Sequence, residues 1–292
     1  MKQALMKNAA PVLNPAIKAS LKRFYKADKP LTPLEPAQRV LVFAPHIDDE
    51  TIGLGGTIRR YADAGAQVTI AIITDGKNSN AAPVEADALA ETRKQELRSI
   101  QDLLGFTDVR YLDYPDSKIK HVASSERFVE LIDEIRPDTI YTTSLIDAHP
   151  DHVYSAHLVA DALKHTAYQP KVVREYEINC PVPPEAINCI MDITDQFPLK
   201  QRATEAFKSQ VIAFDGFLVL AEVKAAQTND AHARYVETFI ENTPQQFVQA
   251  ADHLKTQDRQ YEKHFKQANR TVTLWWAIFK NLKLKKAIYQ SR

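Results

Sequence analysis

The chain is 292 residues long, 45% hydrophobic and 25% charged, ordinary values for one large globular domain or a domain with extensions. No run approaches the roughly 18 apolar residues that a spanning helix needs, and Met1 to Ala10 lacks the apolar centre of a secretory leader, so a cytoplasmic protein is expected. The formal net charge of zero hides an asymmetry: residues 1–40 carry 8 basic and 2 acidic groups, residues 253–292 carry 10 and 2, and the stretch between carries 19 and 33. An acidic body argues against nucleic acid as a partner of the central region.

Residues 13–26 predict an amphipathic helix. Ile17, Leu21, Phe24 and Tyr25 lie on one face and Lys18, Lys22 and Lys26 on another. Such a helix can dock on the domain or lie on an anionic membrane surface. Pro30, Pro33 and Pro36 form a linker into Val40–Ala44, a short apolar run that reads as a buried strand of a parallel sheet. Thr51 to Ala64 predicts a helix with Gly65 as its C-cap. Gly53, Gly55 and Gly56 do not follow the G-x-G-x-x-G spacing, and they follow an acidic cluster that would repel a pyrophosphate. Close packing of the helix explains them better than dinucleotide binding.

Further on, the pattern predicts a strand over 68–74, a loop over 77–83 and a long helix over 84–104. It continues with a strand over 108–112, a helix over 124–135 stopped by Pro137, and a buried strand over 139–143. A helix ends near Lys164, strands follow over 172–178 and 189–193, then a helix over 196–210 and a helical, charged segment from Pro244 to about Ala268. Alternating strands and helices at this spacing specify βαβ units. The expected fold is α/β and Rossmann-like, a mostly parallel sheet with helices on both faces, plus helical N- and C-terminal extensions. The expected divisions are 1–38, 39–243 and 244–292. In the tail, Trp275, Ile278, Phe279, Leu282 and Tyr289 share a helical face interrupted by Lys286. Paired tryptophans beside lysines suit a membrane interface, and equally packing on the N-terminal helix or on a second subunit.

Two constellations carry chemistry. His46, Asp48, Asp49 and Glu50 place four ionisable groups in five positions just past the first buried strand. Like charges so close repel one another unless something positive sits among them, and a divalent metal is the simplest remedy, since imidazole and carboxylate both suit zinc. Asp147-Ala148-His149-Pro150-Asp151-His152 follows the strand over 139–143, with the proline preorganised at a helix start and the two histidines three apart. In an open α/β sheet, loops past the carboxyl ends of strands converge on ligands. His121, His157, His165, His232, His253 and His264 show no ligand spacing, and Cys180 and Cys189 form no metal-type pair.

Pro45-His46-Ile47-Asp48-Asp49-Glu50, with His149-Pro150-Asp151-His152 about 100 residues on, resembles the PIG-L/LmbE family of zinc-dependent N-acetylglucosamine deacetylases. Thr74-Asp75-Gly76, Arg93 with Glu96, and the Ser209-Gln210 ending of segment 200–210 add weaker likenesses, so that the resemblance covers about residues 39–240. Ile47 stands where the family usually has proline, and both basic ends fall outside the match. The resemblance implies that His46, Asp49 and His152 bind one zinc ion per chain. It implies that Asp48 is general base and then acid, and that His149, oriented and held as imidazolium by Asp151, supports the oxyanion. Arg93 would contact the sugar or hold the acidic cluster together.

The expected activity is removal of the N-acetyl group from an N-acetylglucosaminyl conjugate by amide hydrolysis. A zinc amidohydrolase on a non-sugar amide and a non-catalytic, membrane-proximal sugar-binding protein stay open as alternatives. The basic, aromatic ends add three expectations: a lipid-linked substrate, peripheral contact at the inner membrane surface, and self-association into a homo-oligomer.

Overall fold

The computed structural model describes residues 2–77, 86–122, 124–210, 212–257 and 260–292. The chain opens with α1 (Lys2–Tyr25), β1 (Arg39–Ala44), α2 (Asp49–Asp63) and β2 (Gln67–Thr74). It continues with α3 (Ala86–Ser99), α4 (Gln101–Leu104), β3 (Asp108–Tyr114), α5 (Ile119–Val122), α6 (Glu126–Ile135), β4 (Thr139–Thr143) and α7 (Pro150–His165). Then come β5 (Val172–Tyr176), β6 (Cys189–Asp192), α8 (Phe197–Thr204), α9 (Asp215–Lys224) and β7 (Val236–Asn242). The chain ends with α10 (Pro244–Lys255), α11 (Tyr261–His264), α12 (Thr271–Phe279) and α13 (Leu282–Gln290).

One sheet runs in the order β3-β2-β1-β4-β5-β7-β6. The first five strands are parallel, and β7 pairs antiparallel with both β5 and β6. Val40 of β1 faces Val68 on one side and Thr139 on the other. The chain therefore winds outward through β2 and β3 and returns to β4 on the opposite side of β1. This makes the gap between the carboxyl ends of β1 and β4 the topological switch point, where an open α/β sheet binds its ligand. Val40 to Ala44 and Ile140 to Tyr141 are fully buried, which is why both strands read as continuous apolar or β-branched runs.

Helix α2 is not continuous. Leu54 leaves helical geometry (φ −149°, ψ 24°), so the turns on either side each lose backbone partners. A buried ion pair supplies them. Lys200 Nζ donates to Ile52 O at 2.7 Å and lies 2.6 Å from Glu237 Oε1, while Glu237 accepts from Gly56 N (3.0 Å) and Thr57 N (2.7 Å). The break lets Gly53 lie against the Tyr176 ring, which a Cβ would strike, and Gly56 against Ile193, whose Cβ would stand 2.7 Å from an added one.

Several expectations are corrected. The long helix over 84–104 is broken at Ile100, and residues 78–85, with most of the loop expected over 77–83, lie outside the described residues. The helix over 196–210 stops at Thr204, and the rest is turns. Helix α9 and strand β7 had no expected counterpart. Among the described residues of the charged segment from Pro244, the helices run to Lys255 and over 261–264. The tail is two helices, because Asn281 takes a left-handed φ of 53° and its Nδ2 donates to His264 O at 2.8 Å. Helix α1 packs against α9 and α12; Leu21 and Tyr25 are buried, and Lys18 and Lys22 both pair with Glu222. Leu274, Ala277 and Ile278 turn inward, while Trp275 and Trp276 stay 47% and 52% exposed.

Candidate metal centre

The loop after β1 is tied down on several sides. Pro45 O accepts from Thr74 N (3.0 Å) and Thr74 Oγ1 (2.8 Å), and Ile47 O accepts from Gln210 Nε2 (2.8 Å). Asp48 caps α2 with φ 116°, a conformation that costs a non-glycine residue on the order of 1–3 kcal/mol and gathers at functional sites. Glu50 holds that turn: its carboxylate accepts from Asp48 N (3.1 Å) and Thr51 Oγ1 (2.6 Å), and burial pushes its carboxyl up to about 7. The loop after β4 is organised by Asp147, which accepts from His149 N (2.8 Å), Asn179 N (2.8 Å) and Cys180 N (3.2 Å).

Between the two loops, His46 Nδ1, Asp49 Oδ2 and His152 Nε2 form a near-equilateral triangle with sides of 3.2, 3.3 and 3.3 Å. Four ligands placed tetrahedrally about 2.0–2.1 Å from a zinc ion stand about 3.3–3.4 Å apart, so these three donors fit one face of such a shell. Each imidazole is backed by carboxylate, as metal-ligating histidines generally are. Asp147 Oδ1 lies 3.1 Å from His152 Nδ1, and Asp116 Oδ1 and Asp151 Oδ2 each lie 3.5 Å from His46 Nε2.

The charge balance agrees with a cation. Burial lowers the pKa of both imidazoles, yet Asp49 and Asp147 push His152 up to about 10, and Asp116, Asp151 and Asp49 hold His46 well above its usual value. Asp49 itself, although buried, is held far below the usual carboxylate range by His152 and His46. The surrounding carboxylates thus favour positive charge at this position, as a divalent cation would supply. The three residues that the resemblance implied as ligands thus form a His-His-Asp cluster able to hold a metal.

The remaining expected residues surround this triangle. Asp48 is 4% exposed, and among the described residues nothing donates to its carboxylate. Burial, then Asp49 and Glu50, hold it well above the usual range. His149 Nδ1 accepts from the backbone N of Asp151 at 3.3 Å, and ligand atoms of His46, His149 and Asp151 lie within 4.8 Å of one another. Burial and the neighbouring His152 and His46 lower its pKa to about 4. With Nδ1 accepting from the Asp151 amide, Nε2 is the ring nitrogen left to donate. The Asp151 carboxylate accepts from Ser117 N at 2.7 Å and faces His46. Arg93 donates to Gly76 O (2.9 Å) and Gln210 Oε1 (3.2 Å), while Glu96 accepts from Ser209 N (2.8 Å) and Oγ (2.6 Å). These bonds lock α3 to the turns after α8.

Asp116, Asp147 and Gln210 were missed as site residues. Asp116 and Asp147 each sit within four residues past the end of a parallel strand, and that placement was the available signal. The triangle opens into a cavity of about 420 Å³ that also reaches Arg93, Ile178, Asn179, Phe217, Gln267 and Asn269, within the usual size range for small-molecule sites. A cavity of about 590 Å³ among Ile119, Tyr154, His157 and Leu254 shares no lining residue with it.

The model of the PIG-L family, described as GlcNAc-PI de-N-acetylase, matches residues 41–163. A 1D-myo-inositol 2-acetamido-2-deoxy-alpha-D-glucopyranoside deacetylase of Kineococcus radiotolerans is 34% identical over 178 residues, covering 59% of this chain. A diacetylchitobiose deacetylase of Thermococcus kodakarensis is 27% identical, covering 61% of this chain. The chain spans 45% of the length of the first and 72% of the second. Among solved structures, N,N'-diacetylchitobiose deacetylase from Pyrococcus horikoshii superposes with a TM-score of 0.64 at 23% identity, covering 84% of this chain and 94% of that one. That likeness places the α/β fold. The His46 and His152 loops both lie inside the matched residues, and the chain carries a PIG-L family domain.

Proposed function

We propose that this protein is a zinc-dependent N-deacetylase that hydrolyses the acetamide of an N-acetylglucosaminyl conjugate to acetate and a free amine. The observation that carries the reading is the His46–Asp49–His152 triangle with the Asp48 carboxylate, free of donors, beside it in the same cavity. The names of the related proteins, all acting on acetamido sugars, supply the substrate class.

His46, Asp49 and His152 would hold the metal. When bound, zinc supplies a Lewis acid that polarises a carbonyl and lowers the pKa of water. The chain's own groups do the rest. Asp48 accepts the proton of the attacking water on its carboxylate and hands it to the departing amine, a task suited to a buried carboxylate with a raised pKa. His149 Nε2–H donates to the oxygen that gains charge, with Nδ1 fixed by the Asp151 amide. Asp147 and Asp116 keep the two ligating rings in position. Ile52, Ile178 and Phe217 offer an apolar wall to the carbon face of a sugar ring.

Elemental analysis paired with acetate release from a panel of N-acetylglucosaminyl conjugates and acyl-amino acids tests this. The expected result is one zinc per chain and acetate from a sugar conjugate. Asp48→Asn should keep the metal and lose about 10²–10⁴-fold in rate. Full activity in that variant would remove the assigned role, and acetate from acyl-amino acids alone would establish the non-sugar alternative.

The exposed pair Trp275 and Trp276, with Lys266 and Lys280 each 5.9 Å from the Trp276 ring centre, favours a peripheral contact with an anionic lipid surface and a lipid-linked conjugate. Among the described residues no helix is long and apolar enough to cross a membrane. Trp275→Ser/Trp276→Ser should abolish sedimentation with phosphatidylserine vesicles. Unchanged sedimentation refutes the contact, and loss of a dimer in ultracentrifugation would assign the face to self-association.

A further inference from the structure

The segment between α11 and α12 carries no helix or strand and has extended backbone at its two ends, with φ −110°, ψ 167° at Phe265 and φ −124°, ψ 136° at Arg270. Ala268 is wholly buried, whereas Gln267 and Asn269 are half-buried and line the cavity that holds the triangle. This strap is fixed in place. Gly216 N donates to Asn269 O at 3.2 Å, Thr271 N donates to Asp215 Oδ2 at 2.9 Å, and Phe265 is buried. The approach to α9 is so close that a Cβ on Gly216 would collide with the Ala268 carbonyl oxygen.

The other amides of this cavity are already engaged. Gln210 donates to Ile47 O and accepts from Arg93, and Asn179 Nδ2 donates to Asp147 Oδ1 at 3.4 Å. Among the described residues, the side chains of Gln267 and Asn269 make no hydrogen bond. Each primary amide offers two donor hydrogens and an acceptor oxygen. A sugar hydroxyl is likewise both donor and acceptor, whereas a carboxylate or phosphate would leave the amide oxygens without a donor.

We propose that Gln267 and Asn269 form a recognition edge for a neutral, hydroxyl-rich unit joined to the acetamido sugar, a second saccharide or polyol ring. The assignment rests on the deacetylase reading for what occupies the triangle. It makes the strap, which lies outside the family match at 41–163, this chain's own selector of the group beyond the acetamide.

The test is calorimetric titration of the metal-loaded full chain with N-acetylglucosamine and with N,N'-diacetylchitobiose, alongside acetate release from both. Wild type, Gln267→Ala and Asn269→Ala are compared, with metal content and melting temperature as controls on folding. The expected result is tighter binding of the disaccharide by wild type. Each alanine variant should weaken disaccharide binding about 3- to 10-fold, as loss of one neutral hydrogen bond does, and lower the disaccharide-to-monosaccharide affinity ratio. Gly216→Val, which displaces the strap, should lower the same ratio with metal retained. Equal affinities in wild type, or an unchanged ratio in both alanine variants, would overturn the strap assignment and leave the deacetylase reading standing. A ratio that falls as expected with no acetate from either sugar would support the strap and overturn the deacetylase reading. Absence of any sugar binding would overturn both.

Discussion

The buried pair Lys200–Glu237 repairs a helix far from both residues in sequence, and Glu237→Ala tests that account. The Glu237 carboxylate, 3% exposed, accepts from Gly56 N, Thr57 N and Lys200 Nζ within 3.0 Å. Its removal leaves two buried amide donors unpaired and an ammonium with Ile52 O as its remaining partner. Breaking a buried ion pair from one side costs about 3–5 kcal/mol, and each orphaned amide adds about 1–3 kcal/mol. With some relaxation into the vacated space, the expected loss is about 4–6 kcal/mol. For a chain of this size that lowers the melting temperature by roughly 6–10 °C. Lys200→Met leaves the buried Glu237 carboxylate with two amide donors and no cation and orphans one carbonyl, and should cost about 3–5 kcal/mol. The double variant Lys200→Met/Glu237→Gln carries no buried charge and keeps an acceptor for the amides, so it should be no worse than Lys200→Met alone. Urea denaturation of the three variants measures these differences, and chelator competition reports whether Asp49, in the first turn of the same helix, still holds metal. A loss below 1 kcal/mol in Glu237→Ala, or a double variant as unstable as the sum of two charge-breaking single changes, would refute the capping account.

Asp147→Asn keeps the shape and removes the charge behind His152 Nδ1, so metal affinity should fall about 10- to 100-fold in chelator competition; unchanged affinity would show that Asp147 does not support the ligand. Burial, with Lys255 nearby, holds His157 at about 4, against about 6.5 in the unfolded chain. The unfolded state then binds more protons between those values, so stability rises with pH across that window and is lost as pH falls through it. His157→Leu should flatten this dependence by about 3 kcal/mol between pH 4 and 7, and parallel stability curves for the two proteins would refute it. Burial pushes the Cys180 thiol up to about 12 and Cys189 up to about 11. Both should resist a thiol reagent at pH 8 until the protein is unfolded, and rapid labelling of the native protein would refute that.

The centre of the fold was legible because its signals are local. Val40–Ala44 and Thr139–Thr143 are runs buried on both faces, each ending in a cluster of imidazole and carboxylate that no apolar strand would tolerate by chance. The gaps have a common cause. Strand β7 carries Glu237 as its second residue, which reads as a break in an apolar pattern until Lys200 and the interrupted α2 are brought to it. The strap over 265–270 follows a charged helical pattern, and its non-helical course is fixed by Gly216 and Asp215, some 50 residues earlier. Likewise the tail read as one helix, because the bond from Asn281 to His264 that holds its left-handed turn is tertiary.

The same distinction separates the parts of the site. The triangle and Asp48 come from two loops whose residues stand next to one another in sequence, His46 to Asp49 and His149 to His152, so their chemistry can be read before their geometry. What surrounds them is collected from the whole chain: Asp116 after β3, Arg93 on α3, Gln210 after α8, Phe217 on α9, and Gln267 and Asn269 after α11. A reacting centre needs a few groups in fixed mutual positions, and short segments at strand ends provide that economically. A substrate wall needs only surfaces that face inward, and any element packed around the switch point can supply one. Under the proposed deacetylase function, the reaction class is therefore encoded in two short motifs. On the same reading, the group beyond the acetamide would be selected by elements such as the strap, which lie outside those motifs.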